Sequence, residues 1–473
     1  MGTINSAMSM MGGALNADQE ALNVVANNVA NANTPGYTAE TPDWQQNAPI
    51  SVDGVSIGDG VTETGATSLR DRVLQERLDQ QQQGAAASGT RLTALNSIQA
   101  LFTPDSGSSS STAGDIGSDI TSLFNSFASL ESNPTNNALR EQVLSSGSTL
   151  AGDISGAASS LNAQSASLDQ QASGVVSQVN SLTSAIAQLN TAIQSTSPQG
   201  DAGTLEDQRQ QDLSQLSQLI GINQVTTENN GLSVTTTSGQ LLVSEGSNFQ
   251  LTTGTVNGVT DFFLGGTDVT AGLQSGGGQL GGYLTARNTD IPGALSSLDQ
   301  LAYNVSTAVN AQNNAGTDLD GTTGTAANPL YIFKQPAQVT GSAAAMTVVM
   351  TDPNQVAAAG AGNGTGDNSN AVIMADLASQ AIVNGQTPIN SYANFVSTLG
   401  STVVQVQAEN TAQQASVTQL QTQNNALSSV NLNDEAAAMS TLETSYQAAS
   451  QVYTILNTIM ASALNLGDQT AVS

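Results

Sequence analysis

The adjacent carboxylates Asp434 and Glu435 are the nearest approach to an acid–base pair in the chain. Two carboxyl groups can divide the roles of general acid and base when their environments separate their pKa values. Both, however, fall in the first turn of a helix-forming segment, where negative charge complements the helix dipole, and that is the expected role. "GGGQLG" at 276–281 matches the glycine spacing of a dinucleotide loop. No buried strand of a βαβ unit precedes it, so a hinge leading back into a helix is expected instead. "DLDG" at 318–321 opens like a calcium loop, but the following "TTGTAANP" supplies neither the third ligand nor the closing Glu, which leaves a turn. Arg70, Asp71, Arg72, Glu76 and Arg77 form a mixed charge cluster. Arg72 and Glu76 are four apart on one helix face, the spacing of a solvated salt bridge or, secondarily, a subunit contact.

What the chain lacks removes more chemistry than these motifs supply. It has no His and no Cys. Ser-His and Cys-His nucleophile pairs, zinc sites of His and Cys, CxxC redox pairs and His-ligated haem are therefore excluded. Lysine occurs once, as Lys334, and 8 Lys+Arg stand against 37 Asp+Glu for a formal net charge of -29. Such a surface repels phosphate, which argues against nucleic acid and against insertion at an anionic membrane. No apolar run reaches the roughly 18 residues a bilayer span needs. The first basic residue is Arg70, so the positive region of a secretory signal is missing and a soluble or differently exported protein is expected. The sequence predicts no enzyme, no cofactor and no metal site.

The elements that dominate are helices with a heptad frame. Ile4, Met8, Met11, Leu15, Leu22, Val25 and Val29 alternate steps of four and three, broken only by Asp18. Leu442, Tyr446, Tyr453, Leu456 and Met460 repeat the frame at the other end, and Val452, Ile455 and Ile459 form a second stripe beside it. A face that wide is more than one partner helix covers. Two rods are predicted between the ends, from Leu139 to Leu189 with Gln164, Gln171 and Gln178 in the seam, and from Val396 to Leu427 with Asn410, Gln413 and Asn424 there. Shorter helices are predicted near 70–101, 116–131, 206–220 and 293–313, the last opened by Pro292. Residues 222–279 are rich in Val and Thr, with "NNG", "SG" and "EG" as hairpin signals. A second break at 316–374, with several prolines and "GAGNGTGDN", is expected to add strands and loops to that unit. The fold class is thus mainly α with a β-rich insertion: 1–33 and 432–473 a terminal coiled coil, 34–221, 280–315 and 375–431 a bundle of long helices, 222–279 and 316–374 an outer β-rich domain.

The stretch "NVVANNVANANTPGYT" ends the first helix with Asn27, Asn28 and Asn31 grouped on it. Thr34 is pushed toward extended geometry by Pro35, and Pro35–Gly36 suits the centre of a type II turn. Uncharged amides donate and accept without the desolvation cost of a charge, which suits packing against another copy of the chain.

"ALNVVANNVANANTPGYT" and "SVNLNDEAAAMSTLETSYQAASQVYTILNTIMASALNL" resemble the N- and C-terminal signatures of the bacterial flagellar axial proteins of rod, hook and hook-filament junction. "NPTNNALREQVLSSGSTLAGDI", "GTLEDQRQQDLSQLSQLIGI" and "GGQLGGYLTARNTDIPGALSSLDQLAYNVSTAVNAQ" resemble the junction branch of that family. Where the family continues with a Ser-Arg-Gln run after "NTPGY", this chain has "TAETPDWQQ". The resemblance implies paired terminal helices around an export channel and self-assembly into a ring or helix at the distal end of the hook. It also implies contact with the hook protein and the second junction protein, and an extracellular location reached through the flagellar type III export apparatus with an export chaperone and no cleaved signal peptide. The alternatives are another axial protein of hook or rod, the second junction protein, or a secreted adhesin or binding module that holds its ligand through the β-rich insert.

Overall fold

The computed structural model describes residues 2–52, 55–102, 115–197, 201–256 and 258–469. Helix α1 (Gly2–Asn31) leads into a turn in which the Tyr37 N–H donates to the Thr34 carbonyl and Gly36 has φ 82, the type II geometry the Pro-Gly pair predicts. Strands β1 (Glu40–Gln46) and β4 (Val61–Ser68) pair antiparallel around a smaller hairpin of β2 (Ile50–Val52) and β3 (Val55–Ile57). Helices α2 (Arg72–Ala100), α3 (Ile116–Ser132), α4 (Asn137–Thr196) and α5 (Thr204–Leu219) follow.

Two small sheets interrupt the helices. The first runs in the order β5 (Ile222–Thr226), β6 (Leu232–Thr236), β7 (Leu241–Ser244), β8 (Ser247–Asn248). The second joins β9 (Leu251–Val256), β10 (Val259–Leu264) and β11 (Thr267–Asp268) as a meander. The chain returns to helix in α6 (Thr270–Gly276), α7 (Gly278–Thr285), a π turn (Ala286–Asp290) and α8 (Ile291–Ala315). It then passes through α9 (Ser342–Ala345) and α10 (Ser369–Asp376), and finishes in the long helices α11 (Pro388–Ser428) and α12 (Leu432–Gln469).

Helix α4 is the spine. Its 60 residues span about 90 Å at roughly 1.5 Å per residue, and its two halves serve two separate cores. Val143, Leu150, Ile154, Leu161 and Leu168 pack with α3, α8, α11 and residues of the 330–377 stretch. Val175, Val176, Val179 and Ile186 pack with α5, α7 and the two sheets. The predicted seam holds as far as Leu168 and then rotates: Gln171 and Gln178 are exposed, while Ala172, Val179, Thr183 and Asn190 are buried. A straight helix of 3.6 residues per turn drifts about 20° per heptad against a 3.5-residue repeat, so over several heptads the inward face moves by a residue.

Helix α11 keeps its predicted frame in its first half, with Leu399, Val403 and Val406 buried; Val417 and Leu420 are half-buried and Leu427 is 55% exposed, and the seam residues Asn410 and Gln413 are answered from α2. The Asn410 amide donates to the Ala85 carbonyl and to Ser88 Oγ, and Ser88 Oγ donates to Gln413 Oε1. Gly84 and Gly89 make the room: a Cβ there would stand 3.0 Å from Gln413 Nε2 and 3.1 Å from Asn410 Nδ2.

Two expectations need correction. Residues 40–52 and 55–68, assigned to the helical bundle, carry the strands of the two hairpins; β1 carries Pro42 and is largely exposed, so alternation of buried and polar positions gives almost no signal there. Residues 316–374 do not extend the β-rich unit. They contribute only isolated bridges and short helices, and Ile332, Phe333, Met346 and Val356 are buried in the core on the first half of α4, away from both sheets. In the 222–279 unit the strands stop at Asp268, where Asp268 and Thr270 turn the chain into α6.

Candidate assembly site

Helix α12 begins beside the end of α1 and runs back along it, so the first and last helices of the chain form one antiparallel pair. The joint is built on Asn28. Its side chain is 1% exposed and makes four hydrogen bonds: Nδ2 donates to the Glu40 carbonyl (2.8 Å) and Glu435 Oε1 (2.9 Å), while Oδ1 accepts from Tyr37 Oη (2.8 Å) and the Glu40 N–H (3.0 Å). The amide thereby ties α1, the Pro-Gly turn, β1 and α12 together.

Its neighbours in the amide cluster do something different. Asn31 Nδ2 donates to the backbone carbonyl and Oδ1 of Asn27, and Thr34 Oγ1 donates to Asn31 Oδ1, all on the exposed side of the helix end. One residue in roughly 3.6 faces inward on a helix, and here that residue is Asn28 alone.

The apolar frame of α1 is rotated by about one position from its sequence expectation. Ala17, Ala21, Val25 and Asn28 are buried; Ile4, Met8, Met11, Leu15 and Leu22 are half-buried; Val29 is 40% exposed. The inward face is shared between α12 and the β1–β4 hairpin, whose backbone comes close enough that a Cβ on Gly13 would meet the Val61 carbonyl at 3.2 Å. Small side chains are what that approach tolerates, and heptad counting weighted toward large residues passes over them.

On α12 the two stripes differ in burial. Leu442, Leu456 and Met460 are half-buried toward α1, with Tyr446 and Tyr453 at 37% and 36% exposure. The second stripe faces solvent, with Val452 43%, Ile455 58% and Ile459 47% exposed. No described side chain of α12 is fully buried. That row has no partner among the described residues.

Beneath the joint lies a charged network that sequence spacing misassigns. Arg72 does not pair with Glu76. Both Arg70 and Arg72 reach Glu206, at 2.5 Å and 3.0 Å, and Arg70 also reaches Asp207 at 2.6 Å. Asp207 Oδ2 accepts from the Thr38 N–H just beyond the Pro-Gly turn, and Glu206 Oε1 accepts from Asn230. The partners are more than 130 residues apart in sequence, beyond the reach of local pattern.

The network shapes the acids around it. Burial, with the carboxylates of Glu40, Asp207 and Glu435, raises the Tyr37 hydroxyl above its usual range. Burial and then Asp201 and Asp207 raise Glu40, against the pull of Arg70. Burial raises Glu435, offset by the Asn28 amide and reinforced by Asp434. Glu435 thus does more than cap: it accepts the Asn28 amide, while Asn431 supplies the helix-start contacts to Asn433 and Asp434.

The other chemical candidates resolve into structure. Gly277 and Gly278, with φ 97 and 70, turn the chain from α6 into α7. Asp318 Oδ1 accepts from the N–H groups of Asp320 and Thr322, closing a turn. Among the described residues no group of three or more acids is arranged to hold a metal, and no helix is long and apolar enough to cross a membrane.

Comparison with known proteins agrees with this arrangement. Residues 105–327 match the family model described as the flagellar hook-associated protein FlgK helical domain, and residues 8–38 match that of the flagella basal body rod protein. Flagellar hook-associated protein 1 of Salmonella typhimurium is 25% identical over 98% of this chain and 99% of its own. The protein of the same name from Bacillus subtilis is 26% identical over 96% of each. The solved hook junction protein FlgK of Burkholderia pseudomallei aligns with a TM-score of 0.65 at 18% identity, covering 75% of this chain and all of that one, and so shares the fold. Both matched family models, the rod-protein one near the start of the chain and the hook-associated one over its helical body, describe flagellar proteins. Within that class, the chain is similar to flagellar hook-associated protein 1, FlgK, over nearly its whole length.

Proposed function

We propose that the chain is a structural subunit of the bacterial flagellum that self-assembles at the distal end of the hook to form the junction between hook and filament. The observation that carries this is the row Val452, Ile455 and Ile459, which the α1–α12 pair leaves in water. These side chains are already about half covered, so completing the cover is worth about 1 kcal/mol each, a gain available when another molecule supplies it. The assembly site is Ile4, Met8, Met11, Leu15, Leu22, Val25, Asn27, Val29 and Asn31 on α1 with the two stripes of α12, while Asn28 holds the pair to the body.

Its partners on this reading are further copies of itself, the hook protein below and the second junction protein above. The same exposed row gives an export chaperone something to cover before the chain passes the flagellar type III apparatus. Co-sedimentation with purified hooks tests the class, and labelled antibody tests the position. A narrow zone of label at hook tips is expected, and label along the hook's whole length would sink the junction reading.

A further inference from the structure

The chain has eight cationic side chains, and six are committed to its own acids or carbonyls. Arg70, Arg72, Arg91 and Arg287 are in ion pairs, Arg209 lies near Glu206, and Arg140 is buried against the carbonyls of Pro134 and Val356. Arg77 and Lys334 remain, both exposed, and no ion pair is formed by either among the described residues. Lys334 sits on the 316–374 stretch. Arg77 sits in a groove between the start of α2 and the end of α11, beside Val73 (65% exposed), Leu74, Ala426 and Leu427 (55% exposed). Asp71 also lines it, but its carboxylate is engaged by the Val73 and Leu74 N–H groups as the α2 cap.

This groove stands at the root of the terminal pair, since α12 starts at Leu432, five residues after Leu427. The terminal helices are its electrostatic complement. Residues 2–31 and 432–469 contain Asp18, Glu20, Asp434, Glu435, Glu443 and Asp468 and no Lys or Arg. An apolar row flanked only by acids and an apolar groove flanked by an unpaired arginine fit one another, and like-charge contacts disfavour most other placements on so acidic a surface.

We propose that the α2–α11 groove receives the outer face of α12 from a second copy, with Val452, Ile455 and Ile459 against Val73 and Leu427 and Arg77 facing Glu443. The contact is heterologous, head to tail, and so propagates around a ring or along a helix rather than closing a dimer. It rests on the assembly reading above and adds the address at which the exposed row lands.

The chain has no cysteine, so a single introduced thiol is unique. Full-length Leu427→Cys and Ile455→Cys, both at exposed positions, are purified separately, checked for helix content by circular dichroism, mixed, and treated with a short bismaleimide. The expected product is a cross-link found in the mixture and in neither variant alone, weakened by Arg77→Glu and recovered in Arg77→Glu/Glu443→Arg. Assembly without that cross-link, or cross-links only between like variants, overturns the groove while leaving self-assembly standing. Hook binding abolished by Arg77→Glu with copy-to-copy cross-linking unchanged assigns the groove to the hook protein and equally overturns the proposal. If the unmodified chain neither assembles nor binds hooks under any condition, the assembly reading falls and takes this one with it.

Discussion

At the residue scale the informative contrast is between Asn28 and the asparagines beside it. An amide has two N–H donors and an oxygen that accepts twice, and Asn28 uses all of that capacity inside the protein. Replacing it with Ala leaves the Glu40 N–H and the Tyr37 hydroxyl without a partner and removes a donor to Glu435. Each buried group so stranded costs about 1–3 kcal/mol, and we expect Asn28→Ala to loosen the docking of the chain ends by roughly 3 kcal/mol in total. The check is native-state hydrogen exchange: protection should fall along α1 and α12 while the α4 core is unchanged. Asn31→Ala, which loses only exposed contacts, should change protection little. Sequence spacing located the amide group and its turn, because both are local features. It did not separate the inward asparagine from the outward ones, because that depends on β1 and on Glu435, which lies 407 residues away. The arginines make the same point. Arg70 and Arg72 are visible as charges, but their partner Glu206 is fixed only by the packing of α5 on α2. Arg70→Met leaves Glu206 with Arg72 and Asn230 but takes from Asp207 its one ion-pair partner among the described residues, and a loss of about 3 kcal/mol in denaturant unfolding is expected.

At the element scale, what was legible is whatever repeats. The rods α4 and α11 follow from heptads, α8 from Pro292, and β5 to β10 from closely spaced hairpin signals. The β1–β4 hairpins and the 316–374 stretch carry no period, and their position is decided by contact with α1 in one case and with the first half of α4 in the other. The same logic separates the two stripes of α12. Leu456 is half-buried against α1, so Leu456→Asp should disturb both the helix pair and assembly. Ile455 is 58% exposed, so Ile455→Asp should leave the circular dichroism and melting of the isolated chain within about 0.5 kcal/mol of the parent. It should nonetheless prevent assembly, since it places a charge in the row that a neighbour must cover. Normal assembly of Ile455→Asp, measured by sedimentation or by attachment to hook tips, would remove the outer row from the interface. Because so little of α12 is buried in one copy, both terminal helices should also exchange amide hydrogen faster than α4 until assembly covers them.

At the scale of the whole molecule the acids decide how stability varies with pH. Burial raises Asp79 to about 6, although Gln75, Gln210 and Gln224 donate to its carboxylate. Burial, then the neighbouring Asp153 and Asp115, raises Asp119 to about 7. Glu40, Asp212 and Glu435 move in the same direction. A carboxyl group raised in the folded state holds its proton more tightly there than in the unfolded chain. Its stabilising contribution is therefore complete below the unfolded value and is lost as pH rises through the folded one. For Asp79 and Asp119 that window runs from 3.8 to about 6 and about 7 respectively. Asp201 and Glu206 oppose this at the acid end. Burial works against them, but the N–H groups of Ser68 and Gly203 lower the first, and Asn230 with Arg70 and Arg72 lowers the second. Their contribution is lost as pH falls below the ordinary carboxylate range. Mutual repulsion within a net charge of -29 adds to the loss at high pH, because protonation relieves it. The melting temperature should therefore peak near pH 5 and decline toward pH 8. Salt separates the two causes: the Debye length shrinks from about 10 Å at 0.1 M to about 3 Å at 1 M, which removes long-range repulsion but not the burial of a carboxylate. In 1 M NaCl a reduced slope between pH 5 and 7 should survive, and Asp119→Asn should flatten it by replacing the titrating carboxyl with a neutral amide. The same variant should melt higher than the parent at pH 8. An unchanged slope in Asp119→Asn would mean that the α3–α4 acid pair does not govern this part of the profile.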